Sequence, residues 1–432
     1  MSIDCMNKTK FLDINWLCLY LVLAALPVIE LLGFLYGQPP SLPASRALAA
    51  EVLGLVLMAS GAAQLGFTTQ WAQRLFLVWI VLSIPVILYS ALPLSLGFFL
   101  DFARATIVFL AGVAVLVQLE RRSLHFRRLA SFVVGCTGLL LGGSCVYGML
   151  LITLAKLPLV YDPVLYRFEG ILGLSLTSIF YAILFYNHLT GNVFLALYNF
   201  LNIAVILAAA SEILYAPNWR QTGLFLQFLV IAAVGYLLYY VTPAVDPANF
   251  FCSAFPNHLP AVQSVAMQAV SVPACAPVFD PRNTMPSLHA AWAIVIVLAL
   301  RHSPLWHKIL GALFLASIVI ATLGLGGHYT VDWLGALALV LLVRGVCALH
   351  LPLATAARRD AILIGAALLV CWIIAVRGAP VTLGYPGGIR LLAIASAILP
   401  VSVWGEIRLA RAEREQRHVS MAVPQGVPVL NS

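Results

Sequence analysis

Two short strings in this sequence gather the residue types that bind anions and give or take protons. The first runs Arg282-Asn283-Thr284-Met285-Pro286-Ser287-Leu288-His289, ending a long polar loop and opening an apolar run. Pro286 suits the first position of a helix, where its missing N–H costs nothing. The N–H groups that follow, from Ser287 on, lack intrahelical acceptors and carry the positive end of the helix dipole. That is an anion site, with the Ser287 hydroxyl as a further donor. His289 lies within one turn of it, placed to give or take a proton.

The second string is Gly326-Gly327-His328-Tyr329-Thr330-Val331-Asp332. His328 and Asp332 are four apart, so on a helix they share a face. A carboxylate bonded to one imidazole nitrogen fixes the tautomer and leaves the other nitrogen free as nucleophile or base. Gly324, Gly326 and Gly327 permit close backbone approach. Singly, HxxxD and PSxH are weak patterns. In this order, about 40 residues apart and each at the start of an apolar run, they are specific.

The elements that must position these strings are membrane helices. The chain has 432 residues, 62% hydrophobic and 9% charged, with a mean hydropathy of +1.00. Soluble domains are about a quarter charged, and the alternating pattern of an outer-membrane barrel is absent. The expected fold is all-α, a polytopic transmembrane helical bundle. Apolar runs lie at about 15–36, 47–66, 76–98, 104–119, 131–156, 192–215, 223–243, 287–301, 309–326, 330–350, 360–377 and 389–406. Most approach the roughly 20 residues a crossing needs. The first run follows Lys8 and Lys10 with no signal-peptide cleavage site, and reads as a retained anchor.

The net charge of +8 does not point to nucleic acid, because the basic residues sit in short loops. Arg121, Arg122, Arg127 and Arg128 share one loop, Arg301 and Lys308 another, and Arg358 and Arg359 a third; a basic tail follows Trp404. The positive-inside rule places all of these in the cytoplasm. That requires the remaining apolar stretch, 172–188, to be interfacial or re-entrant. The result is about 12 crossings, both termini cytoplasmic, and both strings on the extracytoplasmic face of the cell membrane. Asp162, Arg167 and Glu169 lie just upstream at helical spacing, which suits a helix in the interface plane or an ordinary connecting loop.

The loop 244–286 is proline-rich and reads as a rigid extramembrane cap. It holds Cys252 and Cys275, for which a disulfide is open if that loop is outside. With eight cysteines but no CxxC pair, a zinc ribbon is not expected. The chain then divides into N-terminal helices over 1–130, a core over 131–350, and two further helices with a basic tail over 351–432.

The two strings resemble the second and third motifs of the type-2 phosphatidic acid phosphatase superfamily. PSLH stands where the phosphatases have PSGH. HYTVD fits the HYxxD form of the inositolphosphotransferase-like branch, which includes inositol-phosphorylceramide synthases and, more distantly, sphingomyelin synthases. The resemblance covers about 131–350 and implies a six-helix lipid-phosphatase-like core. It implies His328 as nucleophile forming a phosphohistidine, Asp332 orienting it, and His289 protonating the leaving oxygen. It also implies Ser287 binding phosphate, with neither metal nor cofactor. The departures are informative. The arginine six residues before the nucleophile is here Thr322, and the KxxxxxxRP motif is missing, with no lysine between Lys156 and Lys308. Arg282, then Arg167, are the remaining candidates to meet phosphate charge. Fewer cations suit a phosphodiester better than a monoester.

The expected function is a membrane phosphotransferase acting on a lipid phosphate or phosphodiester, passing the fragment to a lipid or headgroup acceptor. The first alternative is a lipid-phosphate phosphatase, acting for example on polyprenyl diphosphate or phosphatidic acid. More distant ones are a transporter, favoured only by Glu30 and Glu51 in early helices, and a metal site built from His289, His328 and Asp332.

Overall fold

The computed structural model describes residues 127–136, 138–139, 154, 157–173, 176–185, 187–216, 223–276, 282–384 and 386–422. The crossings expected over 15–119, most of the one expected over 131–156, and Arg121 and Arg122 lie outside these residues. The regular elements among the described residues are helices apart from one two-residue antiparallel pair, with Leu159 opposite Ser271 and Val160 opposite Val270. The chain divides into two compact units. One includes 199–229 and 296–313. There Ser211 Oγ lies 2.7 Å from both Ser303 Oγ and His307 Nδ1, and Glu212 accepts from the Leu224 N–H. The other comprises 154–198, 230–295 and 314–432, and it holds every candidate site residue.

In chain order, β1 (Leu159–Val160) leads into α1 (Asp162–Leu172), α2 (Thr177–Leu184), α3 (His188–Asn199), α4 (Leu201–Tyr215) and α5 (Leu224–Val241). The short α6 (Pro247–Phe251) and β2 (Val270–Ser271) belong to the cap. Then come α7 (Leu288–Ala299), α8 (Leu305–Gly324), α9 (Asp332–Cys347), α10 (Ala356–Arg377), α11 (Ala379–Leu383) and α12 (Gly387–Ala422). Among the described residues, four helices are long and apolar enough to cross a membrane: α5, α8, α10 and the first part of α12. The broken pair α3/α4 makes a fifth if counted as one span. The runs expected at 287–301 and 330–350 yield the shorter α7 and α9, of 12 and 16 residues. At 1.5 Å per residue these reach about 18 and 24 Å, short of the roughly 30 Å of hydrocarbon. Both site strings therefore open the short helices. Between Leu172, which ends α1, and His188, which opens α3, the described residues form only the eight-residue α2, about 12 Å and too short to cross.

Helix α1 explains how the cap is held. Pro163 sits in its first turn, where proline is favoured, and Gly173 ends it in the left-handed conformation at φ 64°. Asp162, Tyr166 and Glu169 fall on one stripe, three or four residues apart. That stripe faces inward: Asp162 is 0% and Glu169 1% exposed. The carboxylates are buried because backbone N–H groups at 245–246 and the His328 string meet them. Above the helix, Tyr166 OH donates to the Pro260 carbonyl (2.9 Å) and Arg167 Nη1 to that of Val265 (2.9 Å). The cap is closed on itself by a Cys252–Cys275 disulfide with its Cα atoms 6.4 Å apart.

Under α1 lies a core of Val164, Leu165, Phe168, Met285, Tyr329 and Trp372. Phe168 and Trp372 meet edge-on, with ring centroids 5.6 Å apart. Helices α9, α10 and α12 pack behind it, closely enough that a Cβ on Gly365 would sit 2.5 Å from the Leu342 nitrogen. The buried Arg344 of α9 is matched by Glu406 (3.1 Å) and Glu413 (3.2 Å), one heptad apart on α12. Removing either partner of such a buried pair leaves an uncompensated charge.

Candidate active site

The site is assembled by three stretches: the 282–289 string, the turn 325–332 and the start of α1. Helix α8 ends at Gly324, and the chain reverses through Gly326 at φ 72°. A Cβ there would also meet the Phe255 ring at 2.6 Å. Glycine is needed twice over, for the left-handed conformation and for the close approach. Gly326→Ala is expected to cost about 1–2 kcal/mol from backbone strain alone, and more from the clash. It should lower the thermal unfolding midpoint and reduce activity at least about tenfold, because the next turn carries His328.

Thr322, which replaces the expected arginine, is bound into this turn. Its carbonyl accepts from the N–H groups of Gly327 and His328, both at 3.1 Å. Its hydroxyl donates back to Ile318 O at 2.7 Å. Thr322 therefore shapes the backbone ahead of the histidine and supplies no charge.

His328 is 3% exposed. Its Nδ1 lies 2.9 Å from the carbonyl oxygen of Thr284 and 3.4 Å from Asp332 Oδ2. A carbonyl can only accept, so in the neutral ring Nδ1 carries the proton and Nε2 bears the lone pair. Burial pushes the His328 imidazole down to about 4, opposed by the bond to Thr284, so the ring is neutral at pH 7. Asp332 opens α9, while His328 precedes that helix in the turn; their approach does not depend on a shared helical face. Asp332 Oδ2 also accepts from the Tyr329 N–H (2.8 Å), and the Asp332 carbonyl accepts from the Ser287 N–H (3.3 Å). The two strings are thus stitched together directly.

On the first string, Pro286 does not occupy the first helical position: α7 begins at Leu288. Ser287 is the cap, its Oγ accepting from the Ala290 N–H at 3.2 Å and its carbonyl from that of Ala291 at 3.1 Å. With its N–H turned to Asp332, Ser287 keeps only its hydroxyl hydrogen for an anion. His289 is half-buried. Its ring stacks on Tyr198 at 4.2 Å between centroids, with Nδ1 3.2 Å from the Tyr198 hydroxyl, and lies 5.9 Å from the His328 ring. Arg282 is 4% exposed, two residues before Thr284. Arg167 makes a contact with the cap. It lies five residues from Asp162, about 140° around α1 from the buried stripe, and its Nη1 donates to the Val265 carbonyl.

Several groups were not assigned a site role from sequence. Thr284 orients His328, yet only its carbonyl does so, which no side-chain pattern reveals. Tyr329 OH donates to Asp162 Oδ1 at 3.0 Å, and Asp162 also accepts from the N–H groups of Val245 (2.9 Å) and Asp246 (3.1 Å). Glu169 Oε1 accepts from the Thr330 N–H. Burial pushes Asp162 up to about 7 and Glu169 up to about 8, against the pull of these hydrogen bonds. Among the described residues, no group of three or more histidine, cysteine or acidic side chains is arranged to hold a metal ion.

A neutral buried histidine with a fixed tautomer, a second histidine beside it and a capped helix start form one pattern. Residues 163–346 match the family model of the PAP2 superfamily. The match covers a little under half of the chain and contains His289, His328, Asp332, Ser287, Arg282 and Arg167. Members of this superfamily are phosphatases and phosphotransferases, which supports an enzyme of that type acting on a membrane lipid. No curated protein and no solved structure matches the chain.

Proposed function

We propose that this chain is a membrane-embedded phosphotransferase acting on a lipid phosphate or phosphodiester through a phosphohistidine, of the inositolphosphotransferase-like kind. The observation that carries the reading is the state of His328: neutral, with Nδ1–H bonded to Thr284 and Nε2 left with its lone pair. In the first step Nε2 attacks phosphorus, the bond from phosphorus to the leaving oxygen breaks, and that oxygen takes a proton from His289. Burial, with the neighbouring His328, holds the His289 imidazole down to about 3 in the free site; the negative charge of the bound phosphate acts against that and favours the protonated ring. In the second step an acceptor hydroxyl attacks phosphorus, returns the electron pair to Nε2 and gives its proton to His289. Asp332, 3.4 Å from Nδ1, stabilises the positive charge that the ring gains in between.

Phosphate oxygens would be met by the Ser287 hydroxyl and the Arg282 guanidinium. The scarcity of cations favours a phosphodiester donor with a lipid or headgroup acceptor. A phosphatase, with water as acceptor, is the second reading, and the PAP2-superfamily match supports it equally. Purified protein in vesicles of phosphatidylinositol and a fluorescent ceramide, or of phosphatidic acid, separates the two. A new headgroup lipid means transfer, free phosphate from phosphatidic acid means hydrolysis, and neither product overturns both.

Arg282 gives a quantitative check on the same site. A charge-assisted, two-pronged contact to phosphate contributes about 2–3 kcal/mol. Arg282→Ala should then lower kcat/KM by roughly thirty- to more than a hundredfold. Arg282→Lys should recover only part, because an ammonium is not bidentate. Both variants within a few-fold of wild type, in folded protein, would remove Arg282 from the site.

A further inference from the structure

The neutral tautomer of His328 depends on Thr284 staying where it is, and the bonds that hold Thr284 lead to one buried side chain. The Thr284 hydroxyl donates to the carbonyls of Ala244 (3.0 Å) and Val245 (2.8 Å), and its N–H donates to Ala244 O (3.3 Å). The next links are the N–H groups of Val245 and Asp246, which donate to the two oxygens of Asp162 at 2.9 and 3.1 Å. From the other direction, Tyr329, the residue after His328, donates its hydroxyl to the same carboxylate at 3.0 Å. Thr330 is gripped by Glu169, seven residues further along α1.

We propose that Asp162, seconded by Glu169, is a positioning residue for the nucleophile: it anchors both the carbonyl that orients the His328 ring and the backbone that carries it. The inference rests on the proposed function only in calling His328 the nucleophile. The anchoring itself concerns the state of the ring. Asp162 touches neither the reacting nitrogen nor the Ser287 cap, so its effect is exerted through Thr284 and Tyr329. Two hydrogen-bond paths from one carboxylate hold the ring better than either alone, since each removes a different motion: displacement of the acceptor and displacement of the turn. Loose placement of a reacting group by about 1 Å can cost about a hundredfold in rate.

The deciding measurement uses the full chain with ¹⁵N-labelled histidine, His328 being assigned by its absence in His328→Gln. Nitrogen shifts report which ring nitrogen holds the proton, whether or not the protein turns over lipid. In the wild type, His328 should show the Nδ1–H form. In Asp162→Asn, whose amide cannot accept all three donors, the preference for that form should fall about tenfold. On the vesicle lipid turned over by the wild type, kcat should fall roughly ten- to a hundredfold with KM within about threefold. Should Asp162→Asn fail to fold, Tyr329→Phe removes only one hydroxyl from the same path and should shift the His328 signal in the same sense, more weakly. A His328 signal unchanged in both folded variants overturns the positioning role. An altered tautomer in Asp162→Asn, together with undiminished turnover by His328→Ala, would instead leave the anchoring intact and overturn the assignment of His328 as nucleophile.

Discussion

His328→Ala is expected to lower turnover by on the order of 10³-fold or more while leaving expression and membrane insertion unchanged. A covalent mechanism has no substitute for its nucleophile, and what survives its removal reflects binding and electrostatics alone. The side chain lies in the turn between α8 and α9, and its loss deletes one hydrogen bond to a carbonyl and a contact to Asp332. Wild-type protein given phosphorus-radiolabelled phospholipid and quenched in alkaline detergent should retain label stable to base and labile to acid, as a phosphohistidine does; the variant should retain none. Because burial holds the ring down to about 4, its lone pair stays available as pH falls from 8 to 5. A decline in kcat/KM centred near the ordinary histidine value would then belong to another group. Turnover by the alanine variant within tenfold of wild type would dismiss the phosphohistidine.

How far this site could be read in the sequence depends on which atoms do the work. His289, His328, Asp332 and Ser287 announce themselves because their side chains carry the pattern, and the structure brings all four together. Thr284 acts on His328 through its carbonyl, an atom every residue has, so no spacing betrays it. Asp162 and Glu169 were visible as charges at helical spacing. Whether such a stripe faces water or the interior depends on what packs over it, and their partners lie as much as 167 residues away, at Tyr329. Arg167, offered by the sequence for phosphate, donates from Nη1 to the Val265 carbonyl, a partner that its charge alone does not reveal. The helical class followed from composition. For the crossings, the described residues show four helices long and apolar enough, or five with the broken pair; hydropathy runs mark apolar sequence without showing where a helix starts. The runs at 287–301 and 330–350 include residues that the structure spends on the turn before α9 and the cap of α7.

His289 should reveal its role through the leaving group. In a phosphoryl transfer to His328, an alkoxide departing from a lipid phosphate needs a proton, whereas a nitrophenolate does not. A positioned acid contributes about 10²–10⁴-fold where the proton is needed. His289→Gln is therefore expected to lower kcat/KM by that range on an alkyl phosphate ester and by less than about tenfold on the matching p-nitrophenyl ester. The environment of His289 supports this division of labour. Its Nδ1 faces the Tyr198 hydroxyl at 3.2 Å and its ring is fixed by stacking at 4.2 Å, so Nε2 is the nitrogen left to reach an oxygen near His328, whose ring is 5.9 Å away. Tyr198→Phe keeps the stack and removes the hydroxyl, and it should show the same bias toward the alkyl ester at about a tenth of the effect. If the alkyl and aryl esters lose rate equally in His289→Gln, the residue is not the acid. It would then be acting on phosphate binding or on the placement of its neighbour, and the proton must come from elsewhere.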